Sequence, residues 1–210
     1  MSTKLYYLHD PMCSWCWGYR PVWDALQQKL PATIEVEYAA GGLAPDSNIS
    51  MPIAQQQMIQ NHWRTIEVKL GTKFNHAFWT ENTPRRSTYN ACRAAIAAHK
   101  QGFQNAMIDA IQQGYYLRAL NPSNVDVLIG LAKELIQQQA KLGLAIEQFT
   151  NDLSSAETEQ ELVRQTSLAR QLSQQGFPAL VLEHDGIRQQ IPVDYSDYRL
   201  TLADIIDKLN

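Results

Sequence analysis

The sequence predicts an α/β protein in which a βαβ unit at the start and a ββα unit at the end flank a large all-helical insertion. Three observations carry that expectation. Residues 4–40 read strand, helix, strand. Residues 179–209 read strand, strand, helix. Between about Pro52 and Gln175 strand signal nearly vanishes. The 210 residues, 45% hydrophobic and 19% charged, supply a core and suit one large domain or a core domain carrying an insertion. The expected division is a discontinuous core domain, 1–45 and 172–210, around an insertion domain, 46–171.

Residues 4–9 (KLYYLH) are short, apolar and aromatic, and Asp10-Pro11 closes them, as befits a buried strand. Val22, Trp23, Leu26 and Leu30 then recur at helical spacing until Pro31. Residues 33–40 alternate, with Ile34, Val36 and Tyr38 on one face, and Gly41-Gly42 turns the chain. Strand, helix, strand implies parallel strands and a right-handed crossover. In the insertion, Met58, Trp63, Ile66 and Leu70 lie along one helix, and 73–86 reads as an irregular loop. Residues 87–101, 103–120, 125–139 and 155–175 read as helices, with a turn and cap signal at Asn121-Pro122-Ser123. Tyr115-Tyr116 are expected to pack the insertion on the core. Strand character returns at 179–182 and 189–193, joined by the hairpin signal His184-Asp185-Gly186. Pro192 suits an edge strand, and 202–209 closes as a helix.

Net charge is -3 and no basic cluster exceeds Arg85-Arg86, so nucleic acid is not an expected partner. The apolar run 5–8 is shorter than the core of a secretory signal, and no run approaches the roughly 18 apolar residues of a membrane span. The expectation is a cytoplasmic protein with no membrane partner. There, three cysteines do not make a structural disulfide framework, and a close pair is catalytic or metal-binding.

The pair lies in His9-Asp10-Pro11-Met12-Cys13-Ser14-Trp15-Cys16-Trp17-Gly18. Structural zinc needs four ligands; here one CxxC stands alone, and Cys92 and the histidines are scattered. Packing suits Cys92, on an alanine-rich face, but not a pair at a strand-to-helix junction. The junction itself gives a third reading. A helix starting near Cys13 aims free N–H groups and its positive end at the first sulfur, which favours the thiolate. Cys16 follows one turn later on the same side, close enough to form a disulfide. Cys13 is therefore the expected attacking thiol and Cys16 the resolving one, with no metal.

This layout resembles the DsbA-like branch of the thioredoxin fold. The segment from Asp10 to Gly18 resembles the DPxCxWC motif of its FrnE-like, predicted protein-disulfide isomerase members. The likeness spans nearly the whole chain in layout, but its specific motifs are two: the CxxC segment and Gly176-Phe177-Pro178-Ala179. It implies a thioredoxin-like fold and a thiol–disulfide oxidoreductase, a reductase or isomerase of protein or small-molecule disulfides. It implies no bound cofactor, with glutathione or another thiol as electron partner. It also makes Pro178 the cis-proline beside the active site, and Phe177 a residue whose backbone pairs with an extended substrate.

The chain departs from the pattern in two ways. Tyr7 stands six positions before Cys13, where many members carry a buried acid that takes the second cysteine's proton. That leaves His9 as a candidate relay, or equally a structural histidine, while Asp10 opposes thiolate formation at Cys13. Ser14-Trp15 matches neither the Gly-Pro of thioredoxin nor the Pro-His of DsbA, so neither redox direction transfers. Trp15 is expected at the rim as an apolar substrate contact, and Trp17 in the core. Two other function classes stay open. One is a glutathione-dependent enzyme like the kappa-class transferases or 2-hydroxychromene-2-carboxylate isomerases, which present a serine or lone nucleophile where Cys13 stands. The other is a non-enzymatic redox sensor or holdase.

Overall fold

The computed structural model describes residues 3–138, 145–173 and 175–209. Strands β1 (Thr3–His9), β2 (Ile34–Ala40), β3 (Ala179–His184) and β4 (Ile187–Ile191) form one sheet in the order β2-β1-β3-β4. β1 runs parallel to β2, with Tyr7 beside Tyr38, and antiparallel to β3, with Tyr7 beside Leu180. Helix α1 (Ser14–Gln27) makes the β1-to-β2 crossover.

Side-chain alternation splits β1 between two cores. Leu5 and Tyr7 face Tyr19, Trp23 and Leu26 of α1, Leu180, Leu182 and Ile191 of the sheet, and Ile205 of α9 (Tyr198–Asp207). Tyr6 and Leu8 face the opposite way, with Ala39, Val181, and Ala169 and Leu172 of α8 (Ala156–Leu172). This makes a thioredoxin-like sheet covered by helices on both faces. Trp23 anchors the first core, and its indole N–H donates to the Tyr38 hydroxyl at 2.9 Å.

Several boundaries differ from expectation. α1 stops at Gln27, where the last turn tightens: the Lys29 N–H donates three residues back to the Leu26 carbonyl at 2.9 Å, ahead of Pro31. In the hairpin, Asp185 and Gly186 both have positive φ, 48° and 79°, the backbone a two-residue type I′ turn needs. β4 ends at Ile191, so Pro192 follows the edge strand instead of sitting in it. α9 starts at Tyr198, where Asp197 caps it by accepting the Arg199 N–H at 2.9 Å.

The chain forms two compact units, Met1–Gly41 with Gln165–Asn210, and Gly42–Arg164. The second holds α2 (Ile53–Leu70), α3 (Phe78–Glu81), α4 (Tyr89–His99), α5 (Gln104–Leu117), α6 (Val125–Gln138), α7 (Ile146–Leu153) and the start of α8. α4 buries Ala91, Cys92, Ala94, Ala95, Ala97 and Ala98 and packs on α5, α6 and α7. Tyr115 and Tyr116 lie inside this unit's own aromatic cluster, with Trp63 5.6 and 5.4 Å away. The expected loop over 73–86 contains the single turn α3. α7 was not among the expected helices; it is short, and buries Phe149 and Leu153. The helix expected over 125–139 reaches Gln138, with 139 outside the described residues; that over 155–175 ends at Leu172, and 174 lies outside them. Among the described residues no helix is long and apolar enough to cross a membrane.

Candidate active site

β1 delivers the chain to a tight turn. The Asp10 carboxylate accepts the Met12 N–H at 2.8 Å, and its carbonyl accepts the Cys13 N–H at 2.9 Å. This Asx-type turn holds Cys13 extended, as the N-cap of α1, and the Cys13 carbonyl accepts the Trp17 N–H at 3.0 Å. Cys13 therefore stands where α1 presents unpaired N–H groups and its positive end.

Both cysteines are free thiols. Cys13 is 6% exposed and Cys16 0%, so solvent reaches only the first. Burial pushes the Cys16 thiol well above its ordinary range, and its hydrogen bond to Cys13 adds to that effect. Cys16 thus keeps its proton while Cys13 is the sulfur a substrate can touch.

The segment before β3 returns to the same place. The Cys13 thiol donates to the Phe177 carbonyl at 3.5 Å, across 164 residues of sequence. The Phe177–Pro178 peptide bond is cis. Trp15 is half-buried and meets Tyr195 edge-on at 5.5 Å, and Tyr195 meets Tyr19 at the same distance. A cavity of about 620 Å³ opens beside Trp15, Phe177, Pro178 and Tyr195, and no described residue lining it is charged. Burial raises the Tyr195 phenol, with Cys16 and Cys13 as the next causes. Cys13, Cys16, Trp15, Phe177 and Pro178 therefore come together. Tyr195 completes the group without having been singled out in the sequence; its only signal is an aromatic residue in the turn between the edge strand and α9.

His9 lies behind this group. It is 2% exposed, stacked on Tyr7 at 5.1 Å and edge-on to Tyr38 at 5.4 Å. Its Nδ1 is buried without a hydrogen-bond partner. Burial, and then the nearby Arg20, lower its pKa to about 3. A ring held neutral to that point is a poor acceptor for a thiol proton. Trp17, expected in the core, is only half-buried and belongs to neither core cluster of the sheet. Arg85 donates to Asn124 Oδ1, within the second unit. Among the described residues no three His, Cys, Asp or Glu side chains are grouped to hold a metal.

Known proteins resemble this chain in sequence or in fold. SpxH, a ClpXP adapter protein of Halalkalibacterium halodurans, is 22% identical over 193 residues, 89% of this chain; the chain spans 60% of that relative's length. A candidate protein disulfide isomerase from Nitrosomonas europaea superposes with a TM-score of 0.83 at 26% identity, over 99% of this chain and 97% of that one. The cytosolic disulfide reductase DsbM from Pseudomonas aeruginosa shares the fold, with a TM-score of 0.77 at 23% identity over 98% of both chains. Solved with GSH, it gives 0.73 at 21% identity, again over 98% of both chains. A family model described as a DSBA-like thioredoxin domain matches residues 6–200, from within β1 into α9, so the chain belongs to the DSBA-like thioredoxin domain family.

Proposed function

We propose that the protein is a thiol–disulfide oxidoreductase, a reductase or isomerase of protein or small-molecule disulfides, acting through Cys13-Ser14-Trp15-Cys16. The observation that carries this reading is a rim thiol paired with a fully buried one at the start of α1. Cys13 attacks one sulfur of a substrate disulfide as the thiolate. The substrate S–S bond breaks, one sulfur leaves as a thiolate, and the other stays bonded to Cys13. Cys16 then loses its proton and attacks the Cys13 sulfur, which releases the second substrate thiolate. Two electrons have passed to the substrate, and its two thiolates take up two protons. Two equivalents of glutathione, or of another thiol, restore the dithiol and are themselves oxidised to a disulfide. No metal or bound cofactor enters this cycle.

The Phe177 backbone and Pro178 hold the substrate chain, and Trp15 offers it an apolar contact. The fold shared with a cytosolic disulfide reductase solved with GSH supports glutathione as partner, a cytoplasmic setting and the reducing direction. Trapping tests the first step. Cys16→Ala exposed to glutathione disulfide is expected to carry one glutathione on Cys13, removable by dithiothreitol and absent from Cys13→Ala. A Cys16→Ala protein that stays unmodified contradicts the mechanism. The likeness to an adapter protein favours a second reading, a redox-sensing binding protein. Repeated turnover of a disulfide with glutathione excludes it; a single stoichiometric oxidation supports it.

A further inference from the structure

Gly41 meets the active site at Phe177. It follows β2, and its N–H donates to the His9 carbonyl at 2.6 Å, pinning it to the end of β1 just before the cysteine turn. Its φ lies outside the left-handed region, so its backbone is open to any residue. What forbids a side chain is Phe177. A Cβ on Gly41 would lie 2.3 Å from Phe177 Cε2, 2.4 Å from Cζ and 2.7 Å from Cδ2, far inside van der Waals contact with the ring. The bare Cα is thus a slot filled by the ring. Around that slot the ring packs on the cluster of Tyr6, Leu8, Ala39, Leu172 and Val181. The carbonyl of the same Phe177 faces Cys13 Sγ at 3.5 Å.

We propose that Gly41 is a positioning residue for disulfide exchange: its bare Cα is the seat of the Phe177 ring, and that seat holds the Phe177 backbone opposite the Cys13 sulfur. The proposal rests on the reading of Cys13 as the attacking thiol. A substrate chain pairing with the Phe177 backbone reaches Cys13 in line only while that backbone is anchored. A Cβ at 41 expels the ring, and removing the ring empties the slot; both lose the same anchor. The two changes are therefore not additive.

The test is a double-mutant cycle in the Cys16→Ala protein, which stops at the mixed disulfide. The readouts are the rate constants for reaction with glutathione disulfide, which docks on the backbone, and with iodoacetamide, which does not. Gly41→Ala and Phe177→Ala are each expected to slow the disulfide reaction roughly tenfold, and the double variant no further. Alkylation of Cys13 is expected not to slow in any of them, which separates lost positioning from general disruption. Multiplying effects in the double variant, a fully active Gly41→Ala, or equally slowed alkylation would overturn the proposal. If Gly41→Ala fails to fold, recovery of the fold on adding Phe177→Ala supports the seat, and no recovery refutes it. A parent Cys16→Ala protein that alkylates but never forms the mixed disulfide removes the reading of Cys13 itself, and is distinguished by appearing before any change at 41 or 177.

Discussion

At Cys16 and His9 one physical cost acts in opposite directions. Taking a charge out of water keeps the Cys16 thiol protonated and the His9 imidazole unprotonated. For His9 this has a consequence for stability. The unfolded chain binds a proton from 6.5 downward, while the folded chain refuses it until about 3. Stability contributed by the neutral ring is therefore lost as pH falls through that window. Acidifying from pH 7 to pH 5 is expected to cost about 2 kcal/mol from this group alone. Urea unfolding at the two pH values measures it, and His9→Phe, which keeps a ring in the stack on Tyr7, should remove that part of the loss. At the rim, Tyr195 supports Trp15 edge-on. Such a pair is worth about 1 kcal/mol, so Tyr195→Ala is expected to lower kcat/KM for a peptide disulfide about fivefold. The effect should appear mostly in KM, and steady-state kinetics checks it.

Elements whose signals are local were readable from the chain. β1 and β2 came within a residue of their observed ends, because short apolar or alternating runs stop at Asp-Pro and Gly-Gly. The Asp185-Gly186 hairpin was readable for the same reason: two adjacent residues there accept positive φ. Gly186→Ala, at φ 79° with open space around it, is expected to cost about 1 kcal/mol of backbone strain, measured by urea unfolding. α7 carries its apolar residues Ile146, Phe149 and Leu153 at helical spacing, but eight residues make barely two turns and lack a strong cap, so its pattern is short against the surrounding polar sequence. The candidate site divides in the same way. Cys13, Cys16, Phe177 and Pro178 sit in two recognisable motifs, so their meeting was anticipated. The roles of Gly41 and Tyr195 depend on what lies across the sheet and in a distant turn, and no local pattern encodes that.

At the scale of the whole molecule, the sheet unit serves chemistry by making one short approach rigid. β1 carries the cysteine turn and β3 begins beside the Phe177 carbonyl; these strands pair directly, with Leu8 opposite Ala179. The core under them centres on Trp23, 1% exposed against Tyr7 at 4.1 Å. Trp23→Ala is expected to destabilise the protein by about 3–5 kcal/mol, through lost burial and the cavity left behind, as measured by urea unfolding.

If Cys13 and Cys16 are the reacting pair, they interconvert between dithiol and disulfide. The direct measurement is a glutathione redox titration of the purified protein, with the state of the pair read by alkylation and mass. One two-electron transition with the loss of two hydrogens is expected, absent from Cys16→Ala, with a midpoint of about -270 mV for a reductase. A protein that forms no Cys13–Cys16 disulfide at any glutathione poise would contradict it.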